Sequence, residues 1–148
     1  MTARFTVDGP PVGKGRARSR VATAKDGRQF AQHYTPAKTR NYEQVVRLEF
    51  ERQCPGVRFP DDRALAMTVK IYKPIPASMT KKNRARVEAK ELRPGKKPDI
   101  SNIIKSIEDG LNGVAYKDDS QIVARNDEAW YDERPRVEVE ISVVGYRV

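Results

Sequence analysis

Apolar and polar residues alternate strictly in the C-terminal segment "RVEVEISVV". Its apolar positions are Val137, Val139, Ile141 and Val143. A period of two over this length predicts a β-strand with one buried face. The segment "ALAMTVKIY" has the same period and predicts a second strand of this kind. Its apolar positions are Leu65, Met67, Val69 and Ile71.

Shorter patterns predict two further strands and a first helix. Phe5 and Val7 alternate with polar residues before a stop at Gly9, and Ile122 begins another apolar run. Thr35-Pro36 predicts the start of a helix, because threonine caps helices and proline is favoured at the first helical position. The apolar side of this helix comprises Tyr42, Val45, Val46 and Phe50.

A period of 3.6 follows Asp99 and predicts an amphipathic helix that ends at Asn112-Gly113. Its apolar residues fall within one arc of about 100° on a helical wheel. They are Ile100, Ile103, Ile104, Ile107 and Leu111. The stretch from Ser78 to about Glu91 has helical propensity but few apolar residues, so we expect a solvent-exposed helix there.

The segment "VGKGRARSRVATAKDGRQFAQHY" has no sustained period and predicts a mobile basic loop, with a hairpin turning at Asp26-Gly27 as the alternative. The predicted order is therefore β-α-β-α-α-β-β. This order favours an α+β fold with a mixed or antiparallel sheet and helices packed on one face. A length of 148 residues predicts one domain, spanning residues 1–148.

Charge is distributed unevenly along the chain, whose formal net charge is +9. Residues 1–60 carry 12 Lys and Arg against 5 Asp and Glu, residues 61–98 carry 11 against 4, and residues 99–148 carry 6 against 11. A polyanion-binding surface around a carboxylate-rich region would explain this pattern, and so would a basic protein that is merely soluble.

Cysteine content and hydropathy exclude several classes of protein. The single cysteine, Cys54, leaves no internal disulfide and no cysteine-based zinc site. The sequence has neither a membrane-spanning apolar run nor a secretion signal. We therefore expect a soluble cytoplasmic protein with no membrane partner.

Two acidic clusters flank the amphipathic helix. Asp99 stands where a helix needs a capping acceptor, and a cap is the ordinary role of such an aspartate. Asp118 and Asp119 in "YKDDSQIV" precede a predicted strand, although paired aspartates are also common in turns. Together the clusters supply the oxygen ligands that Mg²⁺ prefers, provided that the chain folds back to bring them together.

The stretch "KPDISNIIKSIEDGLNGVAYKDDSQIV" closely resembles the motif of the RusA-like Holliday junction resolvases, a phage and prophage family. That motif has Pro-Asp-x-Asp-Asn, a lysine on the same helix, and then Asp-Asp-x-Gln-Val. The upstream segments "PVGKGRARSR" and "HYTPAKTRNYEQVV" resemble the family's basic loop and first helix. The resemblance implies a RusA-like two-layer fold and a Mg²⁺-dependent endonuclease, with Mn²⁺ as a substitute metal, that cuts four-way DNA junctions in recombination and repair.

The resemblance also implies roles for individual residues. Asp99, Asp118 and Asp119 match the family's metal-binding aspartates, and Asp119 matches the member of the pair most important for catalysis. Lys105 matches the helix lysine, and Asp109 a position that is commonly acidic. The family forms homodimers that nick two opposed strands of branched DNA, without a small-molecule cofactor.

Ser101 departs from the family motif, because it stands where the second aspartate is usual. A serine hydroxyl is a neutral and weaker ligand, so we expect lower Mg²⁺ affinity, compensated in part by the amide oxygen of Asn102. Two other functions therefore stay open. One is a catalytically weak or inactive protein that binds branched DNA, and the other is a basic nucleic-acid-binding protein of another family.

DNA binding is predicted for the basic N-terminal segment, through contacts to phosphates rather than to base edges. A disordered, solvated run of charges is the alternative. The predicted DNA-binding residues are Lys14, Arg16, Arg18, Arg20, Lys25 and Arg28, with additional contacts from Lys81, Lys82, Arg84 and Arg86.

Overall fold

The computed structural model describes residues 1–15 and 18–147 of the chain. Strands in these ranges are Thr2–Asp8 (β1), Arg18–Thr23 (β2), Gln29–Tyr34 (β3), Arg63–Pro74 (β4), Ile122–Asp132 (β5) and Arg136–Tyr146 (β6). The α-helices are Ala37–Gln53 (α1), Lys81–Glu88 (α2) and Ile100–Leu111 (α3). A 3-10 turn at Asp119–Gln121 precedes β5.

The main sheet has four strands in the order β1-β6-β4-β5. Strand β6 pairs antiparallel with β1 and with β4, whereas β4 and β5 are parallel. The sheet is therefore mixed, which confirms the predicted α+β class. The parallel pair requires a long crossover, and the segment containing α2 and α3 supplies it.

Helices α1 and α3 pack against each other, and α1 also packs on β1. The predicted inward residues of β4 are at most 1% exposed, which confirms the alternating pattern. Phe50 of α1 meets Phe5 of β1 edge to face, with 5.4 Å between the ring centroids. At the close approach of α1 and α3, a side chain at Gly110 would lie 2.8 Å from the carbonyl oxygen of Glu43, so only glycine fits.

The basic N-terminal segment forms a hairpin, so the prediction of a loop is wrong and its alternative is confirmed. Strands β2 and β3 pair antiparallel and turn at Asp26-Gly27, where Gly27 has φ +87°. Neither strand joins the main sheet. Because the hairpin has no face turned to the core, its residues need no alternating apolar pattern, and the sequence signal is weak.

Helix α2 has no buried residue, in agreement with the predicted exposed helix. Val87 and the following Leu92 line a cleft beside Tyr72 and Trp130, on the sheet face opposite to α1 and α3. The guanidinium of Arg93 stacks 3.6 Å from the centroid of the Trp130 ring. The prediction that helices pack on one face is thus confirmed for α1 and α3.

The outer edge of β1 is occupied by a side chain from the end of α1. The amide oxygen of Gln53 accepts a hydrogen bond from the backbone nitrogen of Thr6 at 2.9 Å, and its amide nitrogen donates to the carbonyl oxygen of Thr6 at 2.7 Å. Cys54 is buried beside it, and its thiol donates to the carbonyl of Arg4. Nothing in the described ranges is a helix long and apolar enough to span a membrane.

Candidate active site along helix α3

A row of polar residues spaced by four runs along α3 and comprises Ser101, Lys105 and Asp109. Residues at this spacing lie on one side of a helix. The ammonium of Lys105 lies 3.3 Å from Asp109 Oδ1 and 3.5 Å from Asp119 Oδ2. The chain therefore folds back after α3 and brings Asp119 of the second acidic cluster to this row.

The position of Asp119 is fixed by a capped turn. The Asp118 carboxylate accepts a hydrogen bond from the backbone nitrogen of Ser120 at 3.1 Å, while the side-chain oxygen of Gln121 accepts one from Lys117 at 3.0 Å. Gln121 is buried and donates to the carbonyl oxygen of Pro60. The turn thus uses Asp118 as its cap and leaves the neighbouring carboxylate to face α3.

The two carboxylates of the pair have different environments. Hydrogen bonds from Ser120 to the exposed Asp118 lower the pKa of this carboxyl group. Asp119 is partly buried and pairs with Lys105. Partial burial acts to lower the pKa of Lys105, but hydrogen bonding and charge from Asp109 and Asp119 outweigh it, so that the pKa is raised. Lys105 therefore carries a firmly held positive charge inside the acidic site.

Lys14 lies inside the same charge network. Its ammonium is 2.6 Å from Glu43 Oε1 and 3.0 Å from Asp109 Oδ2. These two partners raise the pKa of Lys14 in spite of burial, which acts in the opposite direction. The contact of Lys14 with DNA stays a prediction, and in the structure its ammonium joins the N-terminal segment to α1 and α3.

Asp99 occupies the N-cap position of α3, but its side chain makes no capping hydrogen bond. The predicted position is therefore confirmed, whereas the capping bond is absent. The exposed carboxylate lines a depression together with Ser101 and Lys73. Because the helix does not use this carboxylate, it is free to bind another group.

Lys73, at the end of the inward face of β4, supports the segment before Asp99. It is 9% exposed, and its ammonium donates to the carbonyl oxygens of Lys96 at 2.7 Å and Pro98 at 2.5 Å. Burial lowers the pKa of Lys73, while the charge of Asp99 opposes this shift. A buried lysine therefore fixes the backbone that presents the carboxylate.

The segment before the hairpin packs along α3. Ser106 is fully buried and donates to the carbonyl oxygen of Val12 at 2.7 Å, and the backbone nitrogen of Lys14 donates to the carbonyl oxygen of Asn102 at 2.8 Å. A Cβ atom at Gly13 would lie 2.6 Å from Cβ of Pro98. The N-terminal segment thus reaches the residue next to Asp99, and glycine is required for that approach.

A basic cleft of about 600 Å³ opens beside this segment. It lies between the hairpin base and the N-terminal ends of α1 and α3, and the side chain of Thr39 accepts a hydrogen bond from the backbone of Gly15 at its wall. Asn102 contributes an amide to the cleft. The basic residues that line it are Lys14, Arg18, Lys38 and Lys97.

The other predicted DNA-binding residues lie on the hairpin or on α2. Arg18, Arg20, Lys25 and Arg28 are exposed, whereas Arg16 lies outside the described residues. Lys81, Lys82, Arg84 and Arg86 are exposed on α2, and this helix borders the sheet face opposite to α1 and α3. Among the predicted DNA-binding residues that the structure describes, Lys14 and Arg18 line the cleft beside α3.

The donor atoms at this site suit Mg²⁺, although the described residues contain no group of three Asp, Glu, His or Cys side chains placed to hold a metal. Mg²⁺ is commonly bound by one or two carboxylates, with waters and substrate phosphates completing its octahedron. Asp99 and Asp119 supply carboxylates of this kind, and Asn102 supplies a neutral oxygen. These side chains are therefore of the chemical types that Mg²⁺ accepts; Asp99 opens α3, and Asp119 contacts Lys105 further along the same helix.

Sequence reasoning missed the residues that support the site. Neither Lys73, which continues the apolar strand, nor Gly13 was singled out from the sequence. The buried Glu108 forms an ion pair with Arg125 of β5, which the helical period alone did not suggest. A charged residue in an inward-facing register is the signal by which Lys73 could have been found.

Two comparisons connect this geometry to known proteins. The family model described as "Endodeoxyribonuclease RusA" matches residues 8–142, a range that contains every residue of the acidic row and of the basic cleft. The chain is also similar to "Uncharacterized protein YqaN" of Bacillus subtilis (strain 168), with 38% identity over 144 residues that cover 96% of each chain.

Proposed function

Because the chain belongs to the RusA endodeoxyribonuclease family, we propose that it is a Mg²⁺-dependent endonuclease that resolves four-way DNA junctions by paired phosphodiester hydrolysis. The observation that carries this proposal is the contact of Asp119 with Lys105 on the helix that Asp99 opens. Asp109 joins Lys105 to Lys14, a residue that lines the basic cleft.

The chemistry divides among the residues of the acidic row. Asp99 and Asp119 hold the metal, with Asn102 as a further oxygen ligand. Mg²⁺, when bound, supplies an activated water and neutralises charge on the scissile phosphate. Lys105 stabilises negative charge that develops on the phosphate oxygens. Asp118 holds the turn that carries Asp119, and Mn²⁺ is expected to substitute for Mg²⁺.

DNA enters through the basic cleft. Lys38 and Lys97 were not singled out by sequence reasoning, and they line it together with Arg18. Contacts of this kind bind phosphates and weaken steeply as salt concentration rises. We propose that two copies of the chain act as a homodimer, since symmetric cleavage of a junction requires two sites.

A second function is favoured by Ser101. This residue lines the depression beside Asp99 without a negative charge, and the described residues lack a group of three acidic side chains suited to a metal. According to this second function, the protein binds branched DNA selectively and cleaves it weakly or not at all.

A cleavage assay on a synthetic four-way junction tests the proposal. Wild-type protein should cut the junction in Mg²⁺ but not in EDTA, and Asp119→Asn should bind the junction without cutting it. Equal and negligible cleavage by both proteins, with junction binding intact, would support the second function. A wild-type protein with no preference for the junction over duplex DNA would contradict both functions.

A further inference from the structure

The hairpin separates its side chains into two chemically different faces. Cross-strand pairs lie on the same face of a two-stranded ribbon, so the register defines both sets. One face, called here the arginine face, carries Arg18, Arg20, Ala22, Phe30, Gln32 and Tyr34. The opposite face carries Ser19, Val21, Thr23, Gln29, Ala31 and His33.

The arginine face combines cations with exposed aromatic rings. Phe30 is 49% exposed and Tyr34 is 38% exposed. The guanidinium of Arg20 lies 5.3 Å from the centroid of the Tyr34 ring, and its Nε donates to the side-chain oxygen of Gln32 at 2.9 Å. Arg20 is thereby held beside the Tyr34 ring. The opposite face has no Lys, Arg, Asp or Glu, so that the strands' charge lies on one side.

A polyanion with accessible base faces is complementary to such a surface. A two-stranded β-ribbon has the dimensions to enter the major groove of DNA. Aromatic side chains stack on bases that have lost their neighbours, as they do in single strands. Paired duplex DNA offers only phosphates and groove edges, whereas a branch point also offers unstacked bases.

The base of the hairpin lies at the acidic site. Gly15 is bonded to Thr39 just before the hairpin begins, and Arg18 lines the same cleft as Asn102 of α3. The cleft and the hairpin are therefore adjacent through Arg18, which belongs to both.

We propose that the arginine face recognises the branch point of a DNA junction, with Arg18 and Arg20 on phosphates and Phe30 stacked on an unpaired base. This inference rests on the proposed function. Phe30 would then select branched over linear DNA, and it lies on the hairpin rather than among the carboxylates proposed to hold the metal. Tyr34 forms the inner end of the same stacking surface.

Binding measurements on matched variants test the inference. Phe30→Ala and Val21→Ala are made in the full chain that also carries Asp119→Asn, and each is titrated with a four-way junction and with a linear duplex of the same sequence. Phe30→Ala should lose at least about fivefold in junction affinity, the scale of one base–aromatic stack, and less than twofold in duplex affinity. Val21→Ala, on the opposite face, should lose neither.

A 2-aminopurine base at the branch point reports stacking directly. The fluorescence of this base should fall when the Asp119→Asn protein binds. It should remain high when the bound protein carries both Asp119→Asn and Phe30→Ala, and it should fall when the bound protein carries both Asp119→Asn and Phe30→Trp. Because the hairpin lies outside the main sheet, all variants should share one thermal unfolding midpoint. Rescue by Phe30→Trp identifies the aromatic ring as the cause, even if Phe30→Ala disturbs the hairpin.

Several outcomes would overturn the inference. Base stacking by the arginine face is rejected if Phe30→Ala binds the junction as tightly as the parent does, as Val21→Ala should. It is also rejected if Phe30→Ala loses affinity equally for junction and duplex. These results differ from a failure of the proposed function. In that case the Asp119→Asn parent itself would bind the junction no better than the duplex.

Discussion

The ammonium of Lys105 lies 3.5 Å from Oδ2 of Asp119, a contact that joins the middle of α3 to the turn before β5. Both groups are partly solvent-exposed, so the ion pair itself contributes little to the stability of the fold, about 1 kcal/mol or less. Its importance is positional, because it holds a carboxylate and a cation at fixed places beside the start of β5.

Asp119→Asn removes the negative charge but keeps the size of the side chain. We expect the rate of junction cleavage to fall by more than about 100-fold, the scale for losing one group that stabilises transition-state charge. The free energy of unfolding should change by less than about 1 kcal/mol. Single-turnover cleavage and urea unfolding measure the two quantities. Asp118→Asn is the control, and a larger loss of cleavage there would contradict the assigned roles.

Ser101→Asp adds a carboxylate one helical turn before Lys105 and beside Asp99. We expect the Mg²⁺ concentration for half-maximal cleavage to fall, because charged oxygen ligands bind Mg²⁺ more tightly than a hydroxyl does. A Mg²⁺ titration of the cleavage rate measures the change. Ser101→Asn adds similar bulk without charge and should not change the Mg²⁺ concentration for half-maximal cleavage. An equal shift in both variants would show that charge is not the cause.

Gly13→Ala should disturb the site from the opposite side. The added Cβ would meet the ring of Pro98 at 2.6 Å, so the segment before Asp99 must shift. We expect slower cleavage and a loss of about 1–3 kcal/mol in stability, the usual cost of overpacking. Gly95→Ala is the matched control, because a Cβ atom there has no neighbour within 4 Å in the described structure. Equal behaviour of the two variants would remove the role given to this close approach.

The buried phenol of Tyr42 should make the stability of the fold depend on pH in the alkaline range. Burial raises the pKa of its phenol above the ordinary value of 10.0. The unfolded chain therefore releases this proton at a lower pH than the folded chain, and the free energy of unfolding must fall as the pH rises above about 10. The loss is at most about 1.4 kcal/mol per pH unit for one such group.

Tyr42→Phe should flatten this decline without a cost at neutral pH, because the buried hydroxyl has no hydrogen-bond partner among the described residues. Tyr116→Phe is a comparison at neutral pH only, because burial also raises the pKa of the Tyr116 phenol. Its hydroxyl donates to the carbonyl oxygen of Glu108 at 3.2 Å, so the variant should lose about 1 kcal/mol at pH 7. Urea unfolding at pH 7 and at several values above pH 10 compares them. A Tyr42→Phe curve parallel to that of the wild type would contradict the assignment.

Strands with one buried face were predictable because burial imposes a period on the residues. Strands β4 and β6 are of this kind, and so is the apolar side of α3. The hairpin has no such constraint, since its side chains face solvent, and its turn at Asp26-Gly27 was the only local sign of it. The RusA family was also predictable, because the acidic motif is specific, and the family match confirms it.

The contacts that hold the site in place were not predictable from the spacing of residues along the sequence. The bonds of Lys73 to the carbonyls of Lys96 and Pro98 depend on the register in which β4 ends and on the path of a loop more than twenty residues later. The tight approach of Gly13 to Pro98 depends on how the N-terminal segment crosses α3. Contacts of this type arise from the packed fold, and no short stretch of sequence encodes them.

The amide of Gln53 has a consequence for association of the protein with itself. An edge strand with free N–H and C=O groups can add a strand from another chain and so begin an aggregate. On β1, the side chain of Gln53 already makes both hydrogen bonds that an added strand would make to Thr6. Growth of the main sheet is therefore hindered at Thr6 of this edge, and β5 forms the other edge of that sheet.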